Sequence, residues 1–164
     1  MRIARVSLIV AQLAVFMLAA TNVASAANVR VTGTITETFP GTCGEPAWTG
    51  AVVRIQCAGL EETWAGSISG SGTFDEARSL NVVSGEVYVS GTETFIGCVG
   101  ATCGTLEWTF QGSGKLDLET FALIFIEGEQ HFTGGSGGLE GAKGSVRFSL
   151  VGEGPATYEG FIVL

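Results

Sequence analysis

The sequence predicts an all-β domain of eight to ten antiparallel strands, closed on itself as one barrel or sandwich. Three observations carry this reading. Apolar and polar residues alternate over runs of six to twelve along most of the chain, and a helical period is nearly absent. There are 25 glycines but only 3 prolines, and the turns between runs are short. No linker interrupts the pattern, so the runs must bury their apolar faces against one another in a single unit.

Residues 1–26 stand apart from that pattern. Arg2 and Arg5 precede an almost wholly apolar stretch from Val6 to Ala20, and Ala24-Ser25-Ala26 is a small-x-small site. Together they read as a secretory signal peptide rather than a retained anchor, because a span needs roughly 20 apolar residues. The expected mature domain is 27–164, secreted or periplasmic, with no stable membrane insertion after cleavage. With Arg2 and Arg5 removed, six basic residues face sixteen acidic ones, a net charge near −10. Such a surface repels phosphate backbones, which argues against nucleic acid and anionic membranes as partners.

All four cysteines, Cys43, Cys57, Cys98 and Cys103, fall in the mature part. An even count behind a signal peptide implies disulfides. Of the three possible connectivities the local one is expected, Cys43–Cys57 with Cys98–Cys103, because Gly100 lets so short a loop close. The spacings match no standard zinc module, so no metal is expected.

In chain order, the first strand is the clearest. Val29, Val31, Gly33, Ile35, Glu37 and Phe39 form one face, and Arg30 with four threonines forms the other. Pro40-Gly41 ends it. Trp48 to Cys57 reads as a second strand, with Ala58-Gly59 turning the chain. From Glu62 to Phe74 the spacing predicts one strongly bent strand, with Trp64, Ile68 and Phe74 on its apolar face. Asp75 to Ser79 reads as a charged turn and Leu80 to Val83 as a short strand. Glu86 to Phe95 alternates again, and after the Cys98–Cys103 loop so do Leu106, Trp108 and Phe110. Leu116 to Glu119 is expected to turn. Phe121 to Ile126 is apolar on both faces, which implies cover from both sides, by a neighbour or another subunit. Val146, Phe148 and Leu150 mark the next strand, and Tyr158 to Leu164 the last.

An internal echo accompanies these strands. Gly33-Thr-Ile-Thr-Glu-Thr-Phe39 recurs as Gly91-Thr-Glu-Thr-Phe95, and Thr42-Cys-Gly recurs as Thr102-Cys-Gly, with Trp48 matching Trp108 at a spacing of 60 residues. Read as shared hairpin chemistry it carries nothing further. Read as a repeated unit it places the two disulfides at equivalent rims.

No strong catalytic signature is present. His131 is the lone histidine, and Gly134-Gly-Ser-Gly-Gly138 lacks the lysine spacing and following helix of a phosphate loop. No cofactor is expected. The unusual feature is the placement of carboxylates. Glu37 and Glu93 share strand faces with Val, Gly and Phe, and Glu62 precedes Trp64 on an aromatic face. A carboxylate turned inward loses hydration, its pKa rises, and it becomes a candidate general acid or base. The plainer reading puts all three near strand ends, where the inward face meets water. Trp64, Phe39, Phe95 and Trp108 are the candidate ligand-binding aromatics, with core packing as their default role. Glu127, Glu129 and His131 share another face, which reads as an outward acidic stripe. The threonine and serine faces read as solvated exteriors, which also argues against an outer-membrane barrel.

The stretch from Phe132 to Phe148 holds six glycines in seventeen residues, at 134, 135, 137, 138, 141 and 144, between two strand-like runs. Its core, Thr133-Gly-Gly-Ser-Gly-Gly-Leu-Glu-Gly-Ala-Lys-Gly144, resembles the Gly-Gly-Thr-Gly-x-Phe-x-x-Ala-x-Gly segment of the superfamily containing allene oxide cyclases and dirigent proteins. Small bacterial barrels of unknown function share that segment. Ser136 stands for the family's Thr and Leu139 for its Phe. The resemblance covers about 15 residues, plus the closing strand Tyr158–Leu164. It implies an eight-stranded antiparallel β-barrel with an apolar cavity, often trimeric, acting on small hydrophobic ligands. No catalytic residue carries over by motif, and the four cysteines lie outside the family pattern. The functional expectation is a non-enzymatic barrel that binds a small hydrophobic ligand or serves as an assembly module. The alternative is a cofactor-free isomerase or cyclase using Glu37, Glu62 or Glu93.

Overall fold

The computed structural model describes residues 27–164, so the signal-peptide reading of 1–26 lies outside the described residues. Ten strands follow in order: β1 (Asn28–Phe39), β2 (Thr42–Cys43), β3 (Ala47–Thr49), β4 (Val52–Gly66), β5 (Ile68–Asn81), β6 (Glu86–Val99), β7 (Thr102–Leu116), β8 (Leu123–Gly137), β9 (Lys143–Val151) and β10 (Ala156–Val163). Among the described residues there is no helix. All pairings are antiparallel. Eight strands form a closed ring in the order β1-β10-β9-β8-β7-β6-β5-β4, with β4 returning to β1. The short β2 and β3 pair with the first half of β4, and β1 pairs with its second half. Closing the sheet leaves no unpaired edge along the ring, which removes the usual template for strand-on-strand aggregation.

Alternation decides which side chains face inward. On β1, Val31 and Ile35 are buried while Arg30, Thr32 and Thr36 are exposed, as the period of two requires. Several sequence expectations change: Trp48 to Cys57 is not one strand but reverses at Gly50 between β3 and β4, and Leu80 lies at the end of β5 rather than opening a short strand of its own. Ala58-Gly59 does not turn the chain, because β4 runs on through a register shift between Cys57 and Leu60. Gly59 takes a φ of 64° there, which a β-carbon disfavours. Its N–H, freed from the ladder, donates to the Asp75 carboxylate at 2.9 Å. Asp75 to Ser79 is therefore not a turn but the middle of β5, with Asp75 satisfying the bulge. The expected bent strand from Glu62 to Phe74 is instead a hairpin that reverses at Ser67. Ser67 docks on β1, its N–H donating to Thr32 O at 2.9 Å and its Oγ accepting from Thr32 N at 3.1 Å. Trp64, Ile68 and Phe74 still point inward, because the reversal preserves parity.

The interior divides into two halves. One end is filled by Val31, Ile68, Phe95, Val99, Leu106, Val146 and Ile162, all at most 2% exposed. The glycine-rich stretch closes this end. Leu139 and Ala142, from the β8–β9 turn, insert into the core, held by bonds from Gly138 N to Cys103 O at 2.9 Å and from Ala142 N to Leu139 O at 3.1 Å. The stretch is thus a corner and a plug. Burying a leucine there contributes roughly 1.5–3 kcal/mol.

The structure joins Cys43 to Cys57 and Cys98 to Cys103. Both bonds are consistent with an oxidising compartment. They do not lie at equivalent rims. Because β1 and β6 run in opposite directions around the ring, Cys98–Cys103 clips the β6–β7 turn at the filled end. Cys43–Cys57 ties β2 to β4 on the other side of the bulge. Phe121, Ile124 and Phe125, expected to be covered on both sides, are exposed, while Leu123 and Ile126 turn toward the interior.

Candidate functional site

The second half of the interior is a cavity of about 410 Å³. Every ring strand contributes to its wall, which is mostly apolar, with Ile35, Val89, Phe110, Ile126, Phe148 and Leu150 prominent. Leu116, Leu123 and Gly154 place it toward the end carrying the β7–β8 and β9–β10 turns. The size is within the range of small-molecule sites, about 300–1,000 Å³. A larger, shallower depression of about 1230 Å³ follows the outward faces, lined largely by exposed groups such as Arg54, Gln111 and Arg147. The interior cavity is the one that holds buried ionisable groups.

Glu62 and Glu93 lie between the cavity and the filled end. They are only 9% and 3% exposed, against the plainer expectation of carboxylates opening to water. Their positions follow from register. Glu62 lies opposite Gly72 and Glu93 opposite Phe74, so the two carboxyl groups reach across β5 from either side. Gly72 makes this possible, since a β-carbon there would lie 1.9 Å from Glu93 Oε1. The indoles beneath fix the pair. Trp64 Nε1 donates to Glu62 Oε1 at 2.5 Å and to Glu93 Oε1 at 3.2 Å, and Trp108 Nε1 donates to Glu93 Oε2 at 2.5 Å.

Both carboxyl groups accept from the one Trp64 Nε1, which sets them side by side as a close like-charge pair. Burial, then the neighbouring Glu62 charge, pushes Glu93 well above the usual glutamate range. Glu62 is also raised by burial, opposed by its bonds from Glu93 and Trp64. Both carboxyl groups are thus disfavoured in their charged forms, Glu93 the more strongly, a like-charge pair that cannot fully ionise in a poorly hydrated site. Glu76 is raised by burial too, although Arg78 hydrogen-bonds it on the same face of β5. Gln130 lines the cavity at 5% exposure, and its Oε1 has no hydrogen-bond partner.

The candidate aromatics are divided by the structure. Trp64, Phe95 and Trp108 pack against one another with ring centroids 5.1–6.2 Å apart and belong to the filled core rather than the cavity wall. Their role is to seat the glutamates. Phe39 is 49% exposed at the end of β1 and lies outside the cavity, because the β1–β4 register shifts between Glu37 and Phe39. Glu37 sits opposite Glu62 and lines the cavity while remaining exposed. Glu76, Arg78 and Gln130 were not singled out from sequence. The first two fall in the stretch read as a turn, and Gln130 lies between Glu129 and His131 of the outward acidic stripe. His131 is exposed and Glu129 half-buried on the outer face, 3.3 Å apart, as an outward stripe would have them. Among the described residues no group of three or more His, Cys, Asp or Glu side chains is placed to hold a metal ion, and no helix is long and apolar enough to cross a membrane.

A solved structure shares this architecture. It is a protein of unknown function from the DUF3224 family of Shewanella oneidensis MR-1, similar at a TM-score of 0.66 and 18% identity, over 83% of this chain and 96% of that one. The likeness is one of fold. No protein-family model and no curated protein matches the sequence.

Proposed function

We propose that this protein is an exported barrel of the allene oxide cyclase and dirigent-like kind that binds a small, largely apolar molecule in its half-filled interior. The observation that carries the reading is the 410 Å³ apolar cavity beside two buried carboxyl groups held by Trp64 and Trp108. An apolar body of drug-fragment size gains from leaving water, and a single polar group at its inner end meets Glu62, Glu93 and Gln130. The two disulfides and the leader-like residues 1–26 support export, and the exposed Phe121, Ile124 and Phe125 support assembly of copies through β8.

A neutral fluorescent probe, N-phenyl-1-naphthylamine, tests the cavity directly. It should bind the protein at micromolar concentration. Ala156→Phe, which fills the wall beside Ile35, should weaken it by at least tenfold without lowering the melting temperature by more than a few degrees. Equal binding by the filled variant would place the probe elsewhere and remove the reading.

The buried Glu93 carboxyl, pushed by desolvation well above the usual glutamate range, favours a second reading, a cofactor-free isomerase or cyclase. Glu93 would donate its proton to a substrate oxygen while Glu62 stabilises the charge that develops, and the proton would return as product forms. Native mass measurement with organic extraction separates the two readings. A recovered molecule that the protein leaves unchanged supports binding, and conversion of that molecule to an isomer of equal mass supports catalysis.

A further inference from the structure

The charges and donors around the cavity are one-sided, and they restrict the chemistry of its occupant further than apolarity does. Four glutamates face it, Glu37 from β1, Glu62 from β4, Glu76 from β5 and Glu93 from β6, against one basic residue, Arg78 from β5. From β7 to β10 the wall brings no charge. It offers Phe110, Phe148, Leu150 and Ala156, with Gln130 as the polar exception. Arg78 is already hydrogen-bonded to Glu76 through its Nε. The two indole N–H groups that could have served as donors point into Glu62 and Glu93. Gln130, 95% buried on the same wall, has an Oε1 with no partner, a buried polar atom that the protein alone leaves unsatisfied.

We propose that the occupant is a hydrophobic amine, held as its ammonium ion against the Glu62–Glu93 pair with its apolar body in the half-filled ring. An ammonium group brings three donors and no acceptor, which matches a site rich in carboxylate oxygens. It also supplies the counter-charge that a carboxylate pair in an apolar cavity otherwise lacks. A carboxylate-headed ligand of the same shape meets like charge at Glu37 and Glu62 and is disfavoured. An alcohol meets neither penalty nor reward of charge and falls between the two. The acidic surface, eight net negative charges over the whole sequence, draws cations toward the molecule and repels anions.

The proposal rests on the cavity reading above, and the test separates their failures. Octylamine, 1-octanol and octanoate share one apolar chain and differ only in the head group. Calorimetric titration at pH 7 should rank them amine, alcohol, carboxylate, with at least tenfold between the first and the last. Glu62→Gln removes one of the two ionisable groups of the pair while keeping an acceptor for Trp64. It should weaken octylamine by at least tenfold and change octanol by less than threefold. Should Glu62→Gln not fold, Glu37→Gln at the exposed rim should weaken octylamine by two- to threefold. Octylamine affinity should rise from pH 5 to pH 8, since ionising carboxyl groups favour the cation. Octanoate binding as tightly as octylamine, or an octylamine affinity indifferent to both substitutions and to pH, overturns the proposal and leaves the cavity reading standing. No binding by any of the three overturns both.

Discussion

Glu93→Gln probes the buried carboxyl pair with little change of shape. Glutamine is nearly isosteric with a protonated glutamic acid, and its carbonyl oxygen keeps the acceptor for Trp108, while the amide nitrogen replaces Oε1 and gives up the longer bond from Trp64, whose N–H still reaches Glu62. At pH 4.5, the ordinary glutamate value, the variant should lie within about 1.5 kcal/mol of the wild type, since only the longer indole bond is lost. Above that pH the two diverge. The unfolded chain releases its Glu93 proton, whereas the folded chain retains it because burial holds the group well above that range. The native state then binds more protons than the unfolded state, so wild-type stability falls as pH rises. The slope for one such proton is about 1.4 kcal/mol per pH unit, acting from 4.5 up to the folded-state value. The variant lacks this proton and should lose that share of the slope, becoming the more stable protein toward neutral pH. Glu62 and Glu76 are raised in the same sense, so a shallower fall remains. Urea unfolding with disulfides intact, at pH 4.5, 5.5, 6.5 and 7.5, measures the difference. Parallel slopes for the two proteins would refute the buried, protonated Glu93.

Other perturbations follow from the same geometry. Glu93→Ala leaves the Trp108 N–H buried without its acceptor and opens a void, and should cost about 3 kcal/mol or more at pH 4.5, read by the same urea titration. Gly72→Ala, where the added carbon would overlap Glu93 Oε1 at 1.9 Å, should cost about 1–3 kcal/mol. Combined with Glu93→Ala it should cost less than the sum of the two, and strict additivity would show that the two positions do not compete for space. Leu139→Ala, in the glycine-rich plug, should destabilise by about 2–5 kcal/mol in thermal or urea unfolding. Replacing Cys43 and Cys57 by serine should cost about 1 kcal/mol more than replacing Cys98 and Cys103. The sequence separation of 14 against 5 constrains more of the unfolded chain.

Much of the architecture was legible because a strand needs only local information. The alternation from Val29 to Phe39 follows from a period of two, and the inward faces of β6 and β7 were assigned the same way. Strand ends were less legible. Ala58-Gly59 has the composition of a turn, and only the pairing of Asp75 with the Gly59 N–H shows a bulge in one long strand. The single bent strand from Glu62 to Phe74 preserved the correct inward residues but missed the reversal at Ser67, because a tight hairpin keeps the alternation in phase.

The sequence by itself determined an all-β chain, its inward faces and a glycine-forced corner, since backbone sterics and side-chain alternation act over a few residues. It also marked Glu37, Glu62 and Glu93 as carboxylates on apolar faces. Only the tertiary structure decided their fates. Cross-strand register set Glu62 and Glu93 on either side of Gly72 with two indoles beneath them, while Glu37, one strand away, stayed at the rim. Register also filled one end of the ring with Trp64, Phe95 and Trp108 and left the other hollow. That division depends on which strand closes against which, and a ring closure between β1 and β4 is a long-range event that no local pattern encodes.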